Sequence, residues 1–472
     1  MVVSAAAPDG SAGARGPDAE RRRRVAIVGG GITGLATAWH LRDDAEVTVY
    51  EAATRPGGEI RTVEFADAPM DVGADAFLAR HPEAERLARA LGLGDEDLVA
   101  PATGQVHVWT RGRLRPLPGG TVFGVPTDLR EVARSGVLSP AALARATLEP
   151  LLPRREGPGD RSVADLVARR FGTAVVDALV EPLLGGVYAG RADRLSTEAT
   201  VPPVWAAATA HRSLTRGLRE HRAGTRHDDR PVFLTVRGGM SRLVTRLQDA
   251  LGGRVRLATP VHEVEADAAG WRLHTENGPV AYDEVVLAVP PAVAARLLVG
   301  VCDDAARELA GMASASVGVV ALAYDRDAAA TVPAGSGLLV PRSEGRLIKA
   351  ATFSSRKWPH HGERERFLLR ASVGRVDDAS ALELDDDELA DRVDAEVRAA
   401  TGILEPAEQW FVQRWPAALP QYDVGHRARV ERIRHALAAR PGLHLGGTAL
   451  DGLGIAARAR DAERLAAAVR TR

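Results

Sequence analysis

The densest set of residues with a chemical task lies near the start of the chain, in RVAIVGGGITGLATAWHL. Gly29, Gly31 and Gly34 stand at the spacing G-x-G-x-x-G, with Gly30, Ile32 and Thr33 between them. That spacing suits the binding of a pyrophosphate. Gly29 permits a tight turn, Gly31 lets an anion approach the backbone, and Gly34 lets a helix pack close to a strand. A helix that begins here turns its free N–H groups and the positive end of its dipole toward the phosphates. Glu51 follows about 20 residues on, where a carboxylate accepts ribose hydroxyls.

The spacing alone is a weak sign, so the elements around it matter. Val25 to Val28 predicts a buried parallel strand, residues 36–41 continue as a helix, and Glu46 to Tyr50 predicts a second strand ending at Glu51. Much later, TPVHEVEAD, WRLHTENG and YDEVVLAVP predict antiparallel strands and then a strand that returns to the parallel sheet. GLHLGGTALDGLGIAARARDAERLAAAV predicts strand, glycine turn and helix, a second helix entry suited to an electron-rich group. The expected fold class is therefore α/β, with a discontinuous Rossmann-like dinucleotide domain (residues 23–100, 231–297 and 429–472). An α+β domain with a mostly helical subdomain is interleaved over 101–230 and 298–428. Residues 1–22, rich in Ala, Gly, Asp and Pro, predict a disordered tail.

Composition narrows the classes. Of the 472 residues, 45% are hydrophobic and 26% charged, and the formal net charge is -1, so nothing draws the chain as a whole toward nucleic acid. The single cysteine, Cys302, excludes an intrachain disulfide and argues against a cysteine metal site. It lies in an Ala- and Leu-rich stretch that predicts helix, as a buried thiol. No apolar run approaches the roughly 20 residues of a membrane helix, so membrane contact is at most peripheral, through the Arg21–Arg24 run. A cytoplasmic location is expected. No Ser/His/Asp, His-cluster or Cys-cluster arrangement points to hydrolysis or a metal.

Further stretches carry a resemblance. EAATRPGGEIRTV resembles the second glycine motif of the flavin amine oxidase superfamily, which implies FAD rather than a nicotinamide cofactor. EPLLGGVYAGRADRLSTEATVP (Glu181 to Pro202), DVGADAFLARHPEA, RPLPGGTVFGVPT, LIKAATFSSRKWPH and LPQYDVGH resemble the oxygen-dependent protoporphyrinogen/coproporphyrinogen III oxidase family, most closely its Gram-positive coproporphyrinogen III oxidase branch. The resemblance implies FAD contacts at Gly29, Gly30, Gly31, Ile32, Thr33, Gly34, Glu51 and Ala52. It adds Arg55, Gly57, Gly58, Glu59 and Ile60, then Gly73, Ala74 and Asp75, then Val261, and last Gly447, Gly454 and Ile455. Three departures bear on these contacts. Ala456, Ala457 and Arg458 replace a frequent Pro-Asp-Cys, Thr448 a usual Asn, and Asp71-Val72 a frequent Glu-Arg.

The implied activity is oxidation of coproporphyrinogen III to coproporphyrin III with O2, giving H2O2, in haem biosynthesis. Protoporphyrinogen IX, another substrate of a flavin amine oxidase or desaturase, and a non-catalytic FAD-binding scaffold stay open as alternatives. Aromatisation drives the reaction, so no obligatory side-chain base is expected. Tyr422 and His426 are candidates for tuning or shuttling a proton. Arg80, Lys349 and Arg356 are candidates for the substrate's propionates, since guanidinium and ammonium groups suit carboxylates. Ferrochelatase, which takes the product, is a transient partner on pathway logic.

Overall fold

The computed structural model describes residues 22–153, 159–224, 230–268, 270–362 and 364–471. All but the last residue of the expected tail lies outside them. A five-stranded parallel sheet runs in the order Val255–Arg256, Glu46–Tyr50, Arg24–Val28, Glu284–Leu287, Leu443–Leu445. The returning strand thus lies beside the first, with Val25 opposite Glu284 and Val28 opposite Leu287. Both central strands are short runs of β-branched and aliphatic residues because both faces of the sheet are covered.

On one face, helices Ile32–Leu41, Ser241–Leu251 and Ile455–Arg470 share a core with Val25, Ile27 and Val286. On the other face lie the antiparallel sheet Val261–Asp267, Gly270–Thr275, Gly278–Tyr282 and helices Pro291–Leu297, Asp303–Ala310 and His426–Ala438. Helices Ile32–Leu41 and Ile455–Arg470 each follow a strand of the parallel sheet, so both begin at its carboxyl edge. That edge is where doubly wound sheets place their ligands.

A seven-stranded sheet forms the second body. Its order is Gln409–Pro420, Ser314–Asp325, Arg366–Val373, Ile348–Thr352, Gly337–Leu339, Val106–Thr110, Arg113–Pro116. Helix Asp386–Thr401 packs on it, capped by Asp385, whose carboxylate accepts from the Glu388 amide at 2.8 Å. A third core gathers the helices between Leu129 and Gly224, including Val163–Phe171, Glu181–Tyr188 and Pro202–Ala210. Inside it Glu149, fully buried, takes Arg170 Nη2 at 2.7 Å, the Leu214 amide at 2.7 Å and the Ser213 hydroxyl at 2.7 Å.

Cys302 is buried, as its surroundings in the sequence predict, but it caps a helix instead of continuing one. Gly300 adopts φ +76°, and Asp303 accepts the Gly300 amide at 2.7 Å, which breaks the Ala- and Leu-rich stretch into two helices.

Candidate active site

The glycine turn after the first strand divides its tasks among three positions. Gly29 has φ +109°, and a Cβ there would meet the Ala288 carbonyl oxygen at 2.3 Å. A Cβ on Gly34 would lie 1.9 Å from the Gly29 carbonyl oxygen. At Gly31, by contrast, no atom lies within 4 Å of an added Cβ. Two of the glycines let chain approach chain, and the third faces open space.

Glu51 closes one side. Its Oε2 accepts the Gly30 amide at 2.7 Å and its Oε1 the Ala53 amide at 2.8 Å, which fixes the carboxylate at the end of the second strand. The second glycine motif lies against the first, with the Gly57 amide donating to the Gly30 carbonyl at 2.8 Å. Arg55 folds back to donate to the carbonyls of Gly58 at 2.8 Å and Ile60 at 3.2 Å, so it shapes this loop.

The last glycine segment is held from three sides. Asp461, on the final helix, accepts the Gly447 amide at 2.7 Å. The Tyr422 hydroxyl donates to the Thr448 carbonyl at 2.9 Å and accepts the Gly452 amide at 2.9 Å. His426 Nε2 reaches the Leu450 carbonyl at 2.9 Å, which makes Nε2–H the donor. Burial pushes the Tyr422 hydroxyl up to about 12 and holds His426 below the ordinary imidazole value. Both are neutral at pH 7, and they brace the loop.

These segments enclose a cavity of about 300 Å3. It brings together Gly29, Gly31, Ile32, Thr33, Glu51, Ala52, Gly58, Glu59, Val261 and Gly447 from the expected set. Gly30, Gly34, Arg55, Gly57 and Ile60 are not among the lining residues. Gly454 is the N-cap of the final helix and Ile455 its first residue. Gly73, Ala74 and Asp75 also stand outside the lining. The Ala74 amide donates to the Glu59 carbonyl at 3.1 Å, and Asp75 pairs with Lys357 at 2.9 Å and Arg370 at 2.8 Å.

The substrate candidates are dispersed. Lys349 is buried, with Nζ on the Gly374 carbonyl at 3.0 Å, and Arg356 donates to the Ala329 carbonyl at 2.6 Å. Arg80 is exposed. Tyr422 and His426 are absent from the cavity lining and act on it through the loop.

Sequence reasoning passed over Ala288 to Pro290, Arg296 and Arg458 as lining residues. The first three form the exit of the returning strand, and an edge that receives one ligand from three strands was the signal available. In the sequence Arg458 stands out only as a departure from the family pattern. It is 4% exposed, and none of its three guanidinium nitrogens has a hydrogen-bond partner.

A dinucleotide fits this arrangement. Gly31 leaves space where a phosphate would sit, the helix at Ile32 begins with no side-chain cap, and an unpaired cation faces the same cavity. Among the described residues no group of three or more His, Cys, Asp or Glu is placed to hold a metal ion. Among them, no helix is long and apolar enough to cross a membrane.

Fold and site together define a flavoprotein oxidoreductase built on a dinucleotide-binding sheet. The family model described as flavin containing amine oxidoreductase matches residues 32–469, and the chain belongs to that family. Within it stand relatives named coproporphyrinogen III oxidase. One from Bacillus subtilis (strain 168) is 34% identical over 92% of this chain and 95% of its own. One from Mycobacterium tuberculosis (strain ATCC 25618 / H37Rv) is 39% identical over 92% and 94%. A crystal structure assigned as a protoporphyrinogen oxidase from Exiguobacterium sp. 255-15 superposes with a TM-score of 0.86, at 32% identity over 95% of this chain and 99% of that one.

Proposed function

We propose that this chain is an FAD-dependent oxidase that converts coproporphyrinogen III to coproporphyrin III with O2 in haem biosynthesis, in the cytoplasm. The observation that carries the reading is a chain of packed contacts that links the cofactor cavity to exposed apolar residues on a neighbouring helix. Helix Glu181–Tyr188 is mostly buried or half-buried, yet Gly186 and Val187 near its end are exposed, Val187 by 56%. Next to them, the Tyr188 ring lies 5.9 Å from the Tyr422 ring, and Tyr422 holds the Thr448 edge of the cavity. A glycine and a valine beside a flavin site offer a flat, apolar wall of the kind a tetrapyrrole needs. The names of the relatives point to the same substrate class.

When bound, FAD would accept two electrons from a meso carbon as one hydride equivalent while a pyrrole N–H gives up a proton, and O2 would take the two electrons and two protons on as H2O2. Three rounds remove the six hydrogens that separate porphyrinogen from porphyrin. The chain's own task is to place a meso C–H and to exclude side reactions. Tyr422 keeps its proton at pH 7 and His426 stands outside the cavity lining with Nε2–H held by a backbone carbonyl, so neither is placed as a base on a substrate in the cavity, which agrees with a reaction driven by aromatisation. Of the three propionate candidates, Arg80 is the exposed one, and a carboxylate can reach it without breaking an internal bond. A ferrochelatase would receive the product.

The test mixes purified holoenzyme in air with anaerobically prepared coproporphyrinogen III or protoporphyrinogen IX and follows porphyrin fluorescence and peroxide. Faster coproporphyrin III formation than in the enzyme-free control is expected. A preference for protoporphyrinogen IX would move the chain to the other branch. No acceleration of either, with FAD bound, would leave a flavin-binding scaffold.

A further inference from the structure

Among the described residues that line the cavity, Arg458 is the one whose buried side-chain nitrogens find no hydrogen-bond partner. Nε, Nη1 and Nη2 are all buried without a partner. The neighbouring acids are already engaged. Asp461 binds the Gly447 amide through Oδ2 and Arg464 through Oδ1, and Asp451 pairs with Arg434. Glu59 lines the same cavity and makes no bond to Arg458. Asp461, Glu59 and Asp451 attract it without bonding it, and a buried guanidinium whose donors are unmet destabilises the fold until an anion reaches it.

The position of Arg458 says where that anion sits. It is the fourth residue of helix Ile455–Arg470, and long helical side chains lean back toward the helix N-terminus. Gly447, Thr448, Gly58 and Glu59 line the cavity with it. The cap, Gly454, has no side chain to satisfy the first amides of this helix. The helix at Ile32 opens at the same sheet edge. The positive end of the helix at Ile32 and the buried Arg458 guanidinium therefore face one cavity.

We propose that Arg458 is a cofactor-binding residue of this chain, its guanidinium donating to the anionic oxygens of the dinucleotide at the Gly447–Thr448 end of the cavity. The proposal rests on the FAD reading above. The oxygens belong either to the pyrophosphate or to the pyrimidine edge of the flavin ring, and both take a guanidinium by the same charge-assisted bonds.

The test compares wild-type holoenzyme with R458K and R458M. FAD release on dilution is followed by the recovery of free-flavin fluorescence, and the midpoint potential of the bound flavin by dye-coupled reduction. R458M should release FAD on the order of tenfold to a hundredfold faster, the equivalent of one charge-assisted hydrogen bond, with R458K in between. An unchanged potential in the surviving holoenzyme assigns the pyrophosphate; a lower potential assigns the ring. If R458M does not fold, R458K decides alone, and release at the wild-type rate with the wild-type potential overturns the proposal. Wild-type protein that purifies with FAD while R458M matches it in both readouts overturns the role of Arg458 and leaves the oxidase reading standing. Wild-type protein that binds no FAD overturns both.

Discussion

Tyr422 lies flat on His426, with ring centroids 3.9 Å apart and planes 15° from parallel. Each ring sends one polar atom into the loop between Gly447 and Gly454, and neither lines the cofactor cavity. The stack is a brace. Its tyrosine satisfies a carbonyl and an amide on two sides of the turn, and losing that hydroxyl strands both groups.

Tyr422→Phe should therefore loosen the loop at a cost of about 1–3 kcal/mol, the usual penalty for stranding buried polar groups. The expected readout is faster FAD release with little change in the shape of the pH profile of kcat. A lost acidic or basic limb in that profile would instead give Tyr422 a proton-transfer role.

The glycines supply a sharper pair. At Gly31 a side chain would enter empty space and meet no protein atom, so Gly31→Val should fold with a Tm close to that of flavin-free wild type and fail to retain FAD. At Gly34 the added carbon meets a backbone oxygen that cannot move alone. Gly34→Ala should lose at least about 2 kcal/mol of stability, as overpacked sites do. Urea unfolding with flavin fluorescence separates the two. A Gly31→Val protein that keeps its flavin would place the pyrophosphate elsewhere.

This contrast also shows what was legible in the sequence. The spacing of Gly29, Gly31 and Gly34 and the β-branched run before it gave the parallel sheet, its helix and the mouth of the cavity, because those are local consequences of backbone shape. Glu51 was legible for the same reason. The roles of Tyr422 and His426 were not, since a loop 24 to 30 residues away decides whether a polar ring acts on solvent, substrate or backbone. Arg458 was visible as an odd residue, but its want of a partner is a property of packing. Arg80, Lys349 and Arg356 are alike as cations in the sequence; a waiting backbone carbonyl takes Lys349 and Arg356 and leaves Arg80 exposed, just as a waiting carboxylate takes Lys357.

Asp75 illustrates that last point. Burial alone would raise its carboxyl, but Arg370 and Lys357 outweigh it and hold the group well below the ordinary carboxylate range. Arg370 also donates to the carbonyls of Asp71 at 2.9 Å and Gly73 at 2.7 Å, so one guanidinium ties the seven-stranded sheet to the segment behind the second glycine motif. Asp75→Asn leaves two cations facing each other without their anion and should lose about 2–3 kcal/mol, somewhat under the figure for a fully buried pair. Because the folded value is depressed, the stabilisation is present above the unfolded carboxyl value near 3.8 and fades as pH falls below it. Denaturant titrations at pH 7 and below pH 4 should show the variant's deficit shrinking in acid. A deficit that does not change with pH would mean that packing, and not charge, is what Asp75 supplies.

Lys349 works in the opposite sense. Burial is the main cause, with Arg375 second, and together they bring its ammonium down to about 7. In the unfolded chain the amine titrates near 10.5, so between pH 7 and 10.5 the unfolded state holds more protons than the folded one. Stability from this group is complete above 10.5, falls as pH drops through that window, and is lost once pH passes below the folded value. Lys349→Met keeps the length of the side chain and removes the charge. Because it also strands the Gly374 carbonyl, its Tm should compare with wild type more favourably at pH 7 than at pH 10, with coproporphyrin III formation measured alongside. That pH dependence of Tm with unchanged KM would mark Lys349 as a structural amine of the seven-stranded sheet. A raised KM for coproporphyrinogen III, at unchanged kcat, would return it to the propionate-binding set, because only a group that meets the substrate before the chemical step moves KM alone.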